Sequence, residues 1–337
     1  MIQGHGDDIY NYAGIEVNFS SNINPSGMND ALLEHLRNSL NTVTAYPQPL
    51  AGNLSLQISE LRDIPSGNIL VTNGAVEALY LTASLQADSR SLIYTPSFAE
   101  YEDACTIYNH QIEFHDNAFF SDNESFNRFS TVWIGNPNNP DGKIIDTAII
   151  KKLTDQNPDT LFVIDEAYID FIKNPQSLVQ EACRKKNLAV VCSLTKKYAV
   201  PGLRIGYLVS HSERIGQIKQ KLMPWRINAV AIEAGLFCLS GKNLNEFRLS
   251  EWLTESKRVQ AAVNELTGFS VLPSDTIFFL VKSPVKAAIL KHELAVKNKL
   301  LIRDASNFRG LTDYHFRVSV RTAKENQLLI NALKEWE

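Results

Sequence analysis

Short β-rich runs alternate with helix-like segments through the middle of the 337-residue chain, and this alternation constrains the fold more than any other feature. We predict strands at Ile69–Thr72, Ser91–Thr95, Thr131–Ile134, Leu161–Asp165, Leu188–Leu194 and Ile205–Val209. Helical periodicity marks the intervening segments Ala75–Gln86, Thr147–Asn157 and His211–Leu222. This order is typical of a mostly parallel sheet with helices on both faces, and it predicts an α/β fold.

The pattern changes after Trp225, where longer helices are followed by further strands. We predict helices at Ala31–Leu40, Ala229–Ser240 and Asn245–Leu266, and strands at Ile277–Lys282, Leu300–Arg303 and Phe316–Val320. A chain of this length suits a large domain with a smaller companion. We therefore predict a large α/β domain over residues 45–228 and a small α+β domain built from residues 1–44 and 229–337.

Composition narrows the classes of partner. The net charge is −4, and dispersed Lys and Arg residues form no basic stripe for nucleic acid. The N-terminus lacks a signal-peptide pattern and no apolar run reaches the length of a membrane span, which predicts a cytosolic protein without a membrane partner. No CxxC or HxxxH spacing indicates a metal or a disulfide framework. Reduced thiols are expected at Cys105, Cys183, Cys192 and Cys238.

A lysine stands eight residues before an arginine, directly after a predicted strand, in the segment from Ser193 to Tyr207. Lys196 is an amine that can bind an aldehyde covalently, and Ser193, Thr195 and Arg204 can hold a phosphate. This layout is typical of a lysine that carries pyridoxal phosphate. The alternative for a Lys-Lys pair after a strand is a solvated loop.

Polar groups follow other predicted strands as well, and ligands of open α/β sheets bind at the carboxyl ends of strands. Asp165 can face a pyridine nitrogen and keep it protonated, so that the ring withdraws electrons. Tyr168, three residues later, can donate to the phenolic oxygen of the same ring. An Asp after an apolar strand can instead cap a turn.

Three more strand ends carry candidate cofactor contacts. Asn139, in a Pro/Asn/Gly-rich loop, is a second candidate for the phenolic oxygen, although such a loop is often only a turn. Gly74, Ala75 and Val76 begin a helix whose free N–H groups can bind a phosphate. Phe98 can stack on a planar ring, or it can belong to the core.

In this order the motifs resemble those of the class I/II aminotransferase superfamily, which has the PLP-dependent transferase fold type I, and within it the histidinol-phosphate aminotransferase branch. The resemblance spans nearly the whole chain. It implies Lys196 as the cofactor lysine, in preference to Lys197, which has a different spacing to Arg204. It also implies that Tyr46, in the segment AYPQP, reaches the phosphate of the neighbouring subunit's cofactor. A homodimer with shared active sites is therefore expected.

A finer resemblance links four segments to a subgroup of that branch that decarboxylates O-phospho-L-threonine. The segments are His5–Gly6, Phe19–Pro25, Met223–Ala229 and Ile302–Leu311 with Phe316–Thr322. The resemblance implies substrate contacts from His5, Gly6, Asn22, Asn139, Arg303 and Arg317. A small phosphorylated amino acid carries two anionic groups and needs at least two cationic partners, which agrees with two arginines.

The residues leave the reaction open, because the same groups support transamination when a different bond at Cα stands perpendicular to the cofactor ring. A histidinol-phosphate or related aminotransferase is the second hypothesis, and a non-catalytic protein is the third. Arg321, in VRT where the aminotransferases often have VGT, favours decarboxylation. Two departures from the family pattern are Asp141 in place of Thr and Val76 in place of Ser or Thr.

Overall fold

The computed structural model describes residues 7–121, 125–241 and 247–337, and a seven-stranded sheet lies at its centre. Within the described residues the strands are β1 (Val17–Asn18), β2 (Ile69–Thr72), β3 (Arg90–Thr95), β4 (Gln111–Asp116), β5 (Thr131–Gly135), β6 (Leu161–Asp165), β7 (Leu188–Ser193), β8 (Gly206–Ser210), β9 (Ser270–Leu272), β10 (Phe278–Lys282), β11 (Leu300–Leu301), β12 (Arg303–Asp304) and β13 (His315–Ser319). The large sheet has the order β2-β8-β7-β6-β5-β3-β4. Strand β8 is antiparallel to both of its neighbours, and the other pairs are parallel.

The described α-helices flank this sheet or belong to the second half of the chain. They are α1 (Asp30–Asn38), α2 (Gly52–Arg62), α3 (Gly74–Leu85), α4 (Glu100–Ile107), α5 (Thr147–Gln156), α6 (Val179–Arg184), α7 (Ser212–Lys219), α8 (Ala229–Leu239), α9 (Leu249–Asn264), α10 (Ala287–Glu293) and α11 (Ala323–Lys334). No described helix is both long enough and apolar enough to cross a bilayer.

The inner strands of the large sheet are buried on both faces, which explains their continuous apolar runs. Every residue of β5, β6 and β7 is buried. Parallel strands between two layers of helices need this composition because neither face meets water. Since the three strands are parallel neighbours, their carboxyl ends at Gly135, Asp165 and Ser193 lie along one edge of the sheet.

A four-stranded antiparallel sheet of order β12-β13-β10-β9 lies in the C-terminal part of the chain. The sequence predicts one continuous strand at Leu300–Arg303, and this prediction is wrong. The first half of the segment, β11, pairs with β1, and its second half, β12, pairs with β13, with buried Ile302 between them. The break brings Arg303 into register with Arg317 on β13.

The predicted α/β fold with a mostly parallel sheet is confirmed. The predicted strands and helices of the central region occur with ends that differ by up to three residues, the largest difference being the end of α7 at Lys219. The helix predicted to begin at Asn245 is α9, which begins at Leu249, and Asn245 itself lies outside the described residues. The edge strand β4 escaped prediction because none of its side chains is fully buried.

Helix α8 lies at the predicted boundary between the domains. Its residues Ala231 and Ile232 belong to the buried cluster that packs on the large sheet, together with Leu54 and Ile58 of α2. A separate buried cluster surrounds the four-stranded sheet and includes Phe19. The division into residues 45–228 and the remainder stays a prediction.

Candidate active site

A cavity of about 360 Å³ opens where β5, β6 and β7 end, between the large sheet and strands β12 and β13. It gathers side chains from all the strand ends that the sequence singled out. The predicted residues that line it are Asn22, Ala75, Val76, Phe98, Asn139, Asp165, Tyr168, Ser193, Thr195, Lys196, Arg204, Arg303 and Arg317. Residues that are far apart in the chain therefore form one site, although their individual roles stay predictions.

Two predicted contacts do not line this cavity. Gly74 lies behind it, at the start of α3, with φ of +79°. A Cβ at this position would lie 2.5 Å from Nη2 of Arg204, so glycine leaves room for the guanidinium.

Tyr46 is the second predicted contact that does not line the cavity. It is 83 % exposed and packs on Trp225, with ring centres 4.9 Å apart. His5 and Gly6 lie outside the described residues.

The two adjacent lysines after β7 have different environments. Lys196 lines the cavity, with Nζ 5.6 Å from the centre of the Tyr168 ring. Lys197 forms an ion pair with Asp170, with Nζ 3.1 Å from Oδ1, and does not line the cavity. The geometry thus agrees with the choice of Lys196 as the reactive amine.

Groups suited to a phosphate lie together at one end of the cavity. The hydroxyls of Ser193 and Thr195 are 2.9 Å apart, and Arg204 reaches the same region. Ala75 and Val76 add the N-terminal turn of α3, a 12-residue helix whose first N–H groups have no intrahelical acceptors. Hydroxyls, a guanidinium and a helix N-terminus together make an anion site. Val76 contributes no hydroxyl, so its contribution is limited to the backbone.

Asp165 is a buried carboxylate that also lines the cavity. Its Oδ1 accepts a hydrogen bond of 2.9 Å from the amide of Ala167, and its Oδ2 accepts one of 2.9 Å from the hydroxyl of Tyr101. Burial raises the pKa of this carboxyl group, while the bonds from Ala167 and Tyr101 and the charge of Lys196 oppose the increase. A cationic nitrogen placed beside Asp165 would favour the ionised form further.

Arg317 is a buried guanidinium that faces the cavity from β13. It donates to Oδ1 of Asn139 and, over 2.5 Å, to the carbonyl of Ser20. Among the described residues, no carboxylate lies within ion-pair distance of it, and its Nε has no hydrogen-bond partner. Burial lowers the pKa of Arg317 to about 10. A buried cation without a counter-ion is costly, so this position fits an anionic ligand.

Arg303, opposite Arg317 in the register of β12 and β13, also lines the cavity. It donates a 2.8 Å hydrogen bond to Oδ1 of Asn307 and lies over the ring of Phe308, 5.2 Å from its centre. Burial lowers its pKa, and the charge of Asp304 opposes that change. The two guanidinia thus give one wall of the cavity a strong positive charge.

Asn22 is a buried amide with no partner for either of its side-chain polar atoms among the described residues. Its segment is held in place by two arginines, because Arg317 binds the carbonyl of Ser20 and Arg321 binds that of Ser21 over 2.7 Å. Buried amides are normally hydrogen-bonded. An amide without a partner at the cavity wall fits a ligand contact.

Several cavity residues were missed by the sequence interpretation. They include Asp7, Ser20, Ser21, Tyr101, Asn307 and Phe308. The spacing of Tyr101 three residues after Phe98 was a usable signal, since Phe98 lies just before α4 and Tyr101 lies in its first turn. The others depend on contacts between distant segments.

The departure at Asp141 has a structural explanation. Its Oδ1 accepts hydrogen bonds from Nδ2 of Asn138, over 2.7 Å, and from the amide of Lys143, over 3.1 Å. Asp141 therefore holds the loop that carries Asn139 closed by accepting these two hydrogen bonds. A Thr hydroxyl can accept hydrogen bonds from a turn in the same way.

The family model "Aminotransferase class I and II" matches residues 15–333, which is nearly the whole chain. The chain belongs to this family. The cofactor of the family is pyridoxal 5′-phosphate, as the sequence predicted.

Three similar proteins carry two different activities in their names. An L-threonine-O-3-phosphate decarboxylase structure from Porphyromonas gingivalis is 38 % identical, with a TM-score of 0.91, and the match covers 95 % of this chain and 98 % of that one. A threonine-phosphate decarboxylase from Salmonella typhimurium is 29 % identical over 94 % of this chain and 90 % of its own length. A histidinol-phosphate aminotransferase structure from Clostridium acetobutylicum is 28 % identical, with a TM-score of 0.85, over 95 % of this chain and 98 % of that one.

The cavity fits this cofactor on its own chemistry. Ser193, Thr195 and Arg204 supply groups that can bind a phosphate, and Asp165 supplies a buried carboxylate. The same cavity is lined by Lys196, which supplies an amine, and by Phe98, which supplies an aromatic ring. A ring with a phosphate arm, an aldehyde and a basic nitrogen matches each of these groups.

Proposed function

We propose that this enzyme decarboxylates O-phospho-L-threonine to (R)-1-amino-2-propanol phosphate and CO₂, as a step of cobalamin biosynthesis. The observation that carries the proposal is the pair of buried guanidinia, Arg303 and Arg317, which line the same cavity as the predicted cofactor groups. A small amino acid with a phosphate and a carboxylate offers two anionic groups to these two guanidinia. The names of the Porphyromonas and Salmonella proteins support the same reaction.

The two arginines divide the substrate between them. Arg317, which contacts Asn139 beside the predicted cofactor position, binds the carboxylate. Arg303, which pairs with Arg317 in register and donates to Asn307, binds the phosphate. Asn22 offers an unpaired amide to the bound substrate. Arginine suits both tasks because its planar fork binds carboxylate and phosphate oxygens in pairs.

The residues around the cofactor then control charge and protons. When bound, pyridoxal phosphate withdraws the electron pair of the bond that breaks at Cα. Asp165 would keep a proton on the ring nitrogen, and Tyr168 and Asn139 would donate to the phenolic oxygen. Lys196 would hold the cofactor aldehyde until the substrate amine replaced it. The protons of the incoming substrate ammonium would leave Lys196 as an ammonium group, and this group would supply the proton to Cα.

The second candidate is a histidinol-phosphate aminotransferase, which the Clostridium structure favours. The same cavity would perform that reaction if it held the Cα–H bond of histidinol phosphate perpendicular to the cofactor ring. Lys196 would then remove the Cα proton instead of supplying one. Histidinol phosphate has no carboxylate, so Arg317 would bind a carboxylate only when 2-oxoglutarate or glutamate occupies the site.

The decisive assay incubates the cofactor-loaded protein with O-phospho-L-threonine and follows CO₂ and aminopropanol phosphate. We expect CO₂ release without any keto acid, because decarboxylation needs no amino-group acceptor. A parallel reaction contains histidinol phosphate and 2-oxoglutarate. Glutamate formation there, with phosphothreonine inert, would replace the decarboxylase by the aminotransferase.

The proposal includes a homodimer in which Tyr46 reaches the cofactor phosphate of the partner subunit. Tyr46 packs on Trp225, and other exposed apolar side chains stand near these two in the sequence, at Leu40, Val43 and Met223; Tyr46 and Met223 are 83 % and 77 % exposed. We call these five residues the apolar patch. Exposed apolar side chains that lie together mark protein interfaces. The large domain over residues 45–228 would hold the cofactor, and the small domain would supply Arg303 and Arg317.

A further inference from the structure

The tyrosine behind Asp165 has no role in the function described so far. Tyr101 of α4 is 2 % exposed, and its hydroxyl donates the 2.9 Å hydrogen bond to Oδ2 of Asp165. Its ring lies nearly parallel to that of Trp133, with centres 6.0 Å apart, and meets Phe98 edge-on at 5.9 Å. Packing on two sides fixes where the hydroxyl points.

The large sheet leaves a space for this hydroxyl. Gly135 is the last residue of β5 and pairs with Asp165 in the register of β5 and β6. A Cβ on Gly135 would lie 3.1 Å from the Tyr101 hydroxyl and 3.0 Å from Oδ1 of Asn138, closer than ordinary contacts. The absence of a side chain at residue 135 therefore lets Tyr101 reach Asp165.

Each carboxylate oxygen of Asp165 thus has one donor from the protein. Ala167 binds Oδ1 and Tyr101 binds Oδ2, so the carboxylate cannot turn about its χ2 without losing both bonds. The neighbouring Glu166 does not compete, because its oxygens are taken by Ser177 and the amide of Leu178. The orientation of Asp165 is set before any ligand enters.

We propose that Tyr101 is a positioning residue that holds Asp165 ionised and aimed at the pyridine nitrogen, so that the proton of the pair stays on nitrogen. The inference deepens the proposed function and rests on Asp165 binding that nitrogen. A hydrogen bond from a neutral donor stabilises a carboxylate and makes it a weaker base. Without the Tyr101 hydroxyl, Asp165 becomes a stronger base and draws the proton away from nitrogen.

The groups around Asp165 also favour an ionised carboxylate with Tyr101 as its donor. Lys196 is the cation whose charge favours ionised Asp165 from the β7 side. Tyr101 stays a donor, because burial and the charge of Asp165 raise its pKa well above that of a free tyrosine. The proton on the ring nitrogen is what makes the ring withdraw electrons effectively.

The test reads the protonation of the ring nitrogen directly, by the ¹⁵N chemical shift of isotopically labelled pyridoxal phosphate bound to the holoenzyme. We expect the protonated value in the wild type and a move toward the unprotonated value in Tyr101→Phe. We also expect Tyr101→Phe to bind the cofactor about tenfold more weakly, since bonds to charged groups are strong. The matched control is Tyr80→Phe, which removes a 2.8 Å tyrosine bond to Glu100 at a tyrosine that does not line the cavity, and leaves both donors to Asp165 in place.

The outcomes separate this inference from the proposed function. An unchanged ¹⁵N shift in Tyr101→Phe, equal to that of Tyr80→Phe, would overturn the role of Tyr101. A protonated ring nitrogen in Asp165→Asn would instead show that Asp165 does not bind it. If Tyr101→Phe does not fold, Gly135→Ala keeps the tyrosine and displaces its hydroxyl. It should shift the ¹⁵N signal in the same direction by a smaller amount, and no shift would overturn the inference.

Discussion

At the scale of single residues, the environment rather than the side-chain type separates Lys196 from Lys197. The two are neighbours in sequence, yet one lines the cavity beside Tyr168 and the other is paired with Asp170. Lys197 is held away from the cavity by its ion pair, whereas the amine of Lys196 lies where a ligand can meet it. We therefore expect Lys196 rather than Lys197 to carry the cofactor.

Replacing each lysine by alanine tests this distinction. Lys196→Ala should lose the visible absorbance of the lysine-bound cofactor and reduce kcat by at least about a thousandfold, because both the covalent link and the acid are lost. Lys197→Ala should retain the visible absorbance and the kcat of the wild type. It should lose less than about 1 kcal/mol of stability, as expected for a partly exposed ion pair. Retained absorbance in Lys196→Ala would contradict the assignment.

At the scale of elements, the end of β6 directs adjacent carboxyl groups to different places. Asp165 meets the cavity, whereas Glu166 binds the loop before α6, through the Ser177 hydroxyl at 2.5 Å and the Leu178 amide at 2.8 Å. Successive side chains of an extended strand point to opposite sides, which explains the divergence. Burial raises the pKa of Glu166 to about 7, against the opposing effect of its hydrogen bonds.

A raised pKa makes this loop contact depend on pH. Between about pH 4.5 and 7 the folded chain holds a proton on Glu166 that the unfolded chain releases, so stability falls as pH rises through this window. The loss is about 3.5 kcal/mol at most, from a pKa that rises from 4.5 to about 7 and about 1.4 kcal/mol per pKa unit. In Glu166→Gln, which mimics the protonated acid, we expect this loss to disappear.

Urea unfolding from pH 4.5 to 8 measures the effect as the difference in unfolding free energy between Glu166→Gln and the wild type. The difference should grow with pH and then level off above about pH 7. Glu265→Gln, at an exposed position just after α9, serves as the control and should show no such trend. A constant difference across the range for Glu166→Gln would refute the prediction.

At the scale of the whole molecule, the apolar patch around Tyr46 remains without a partner in the single chain. Val43 is 63 % exposed and lies in the same patch as Tyr46 and Trp225. A tyrosine exposed to this extent cannot contact the cavity of its own chain, which it does not line. A second copy would cover the patch and bring the tyrosine to a cavity.

The size of the particle in solution checks the dimer. We expect sedimentation to give twice the chain mass of 37.8 kDa. Val43→Asp should dissociate the dimer and weaken cofactor binding, because a charge would be buried in the interface. Val296→Asp, at a 49 % exposed site in the C-terminal half, should change neither property. A wild-type monomer with full activity would exclude shared sites.

Much of the fold was accessible from the sequence, because alternation and periodicity are local signals. The buried run of β6 and the helix start at Gly74 were both recognisable within a few residues. The break at Ile302 was not, since a continuous apolar run gives no sign that its two halves pair with different strands. The strand-end motifs likewise identified ten of the residues that line the cavity.

The sequence by itself determined the order of the elements and the spacing of Lys196 from Arg204, since both depend on neighbours along the chain. Only the tertiary structure decided that Arg303 lies opposite Arg317, that Tyr101 binds Asp165 and that Tyr46 is exposed. These facts depend on strand pairing and packing between segments that are 14 or more residues apart. Local patterns carry no record of which distant residue a side chain meets, because that choice is made by the packing of the whole chain.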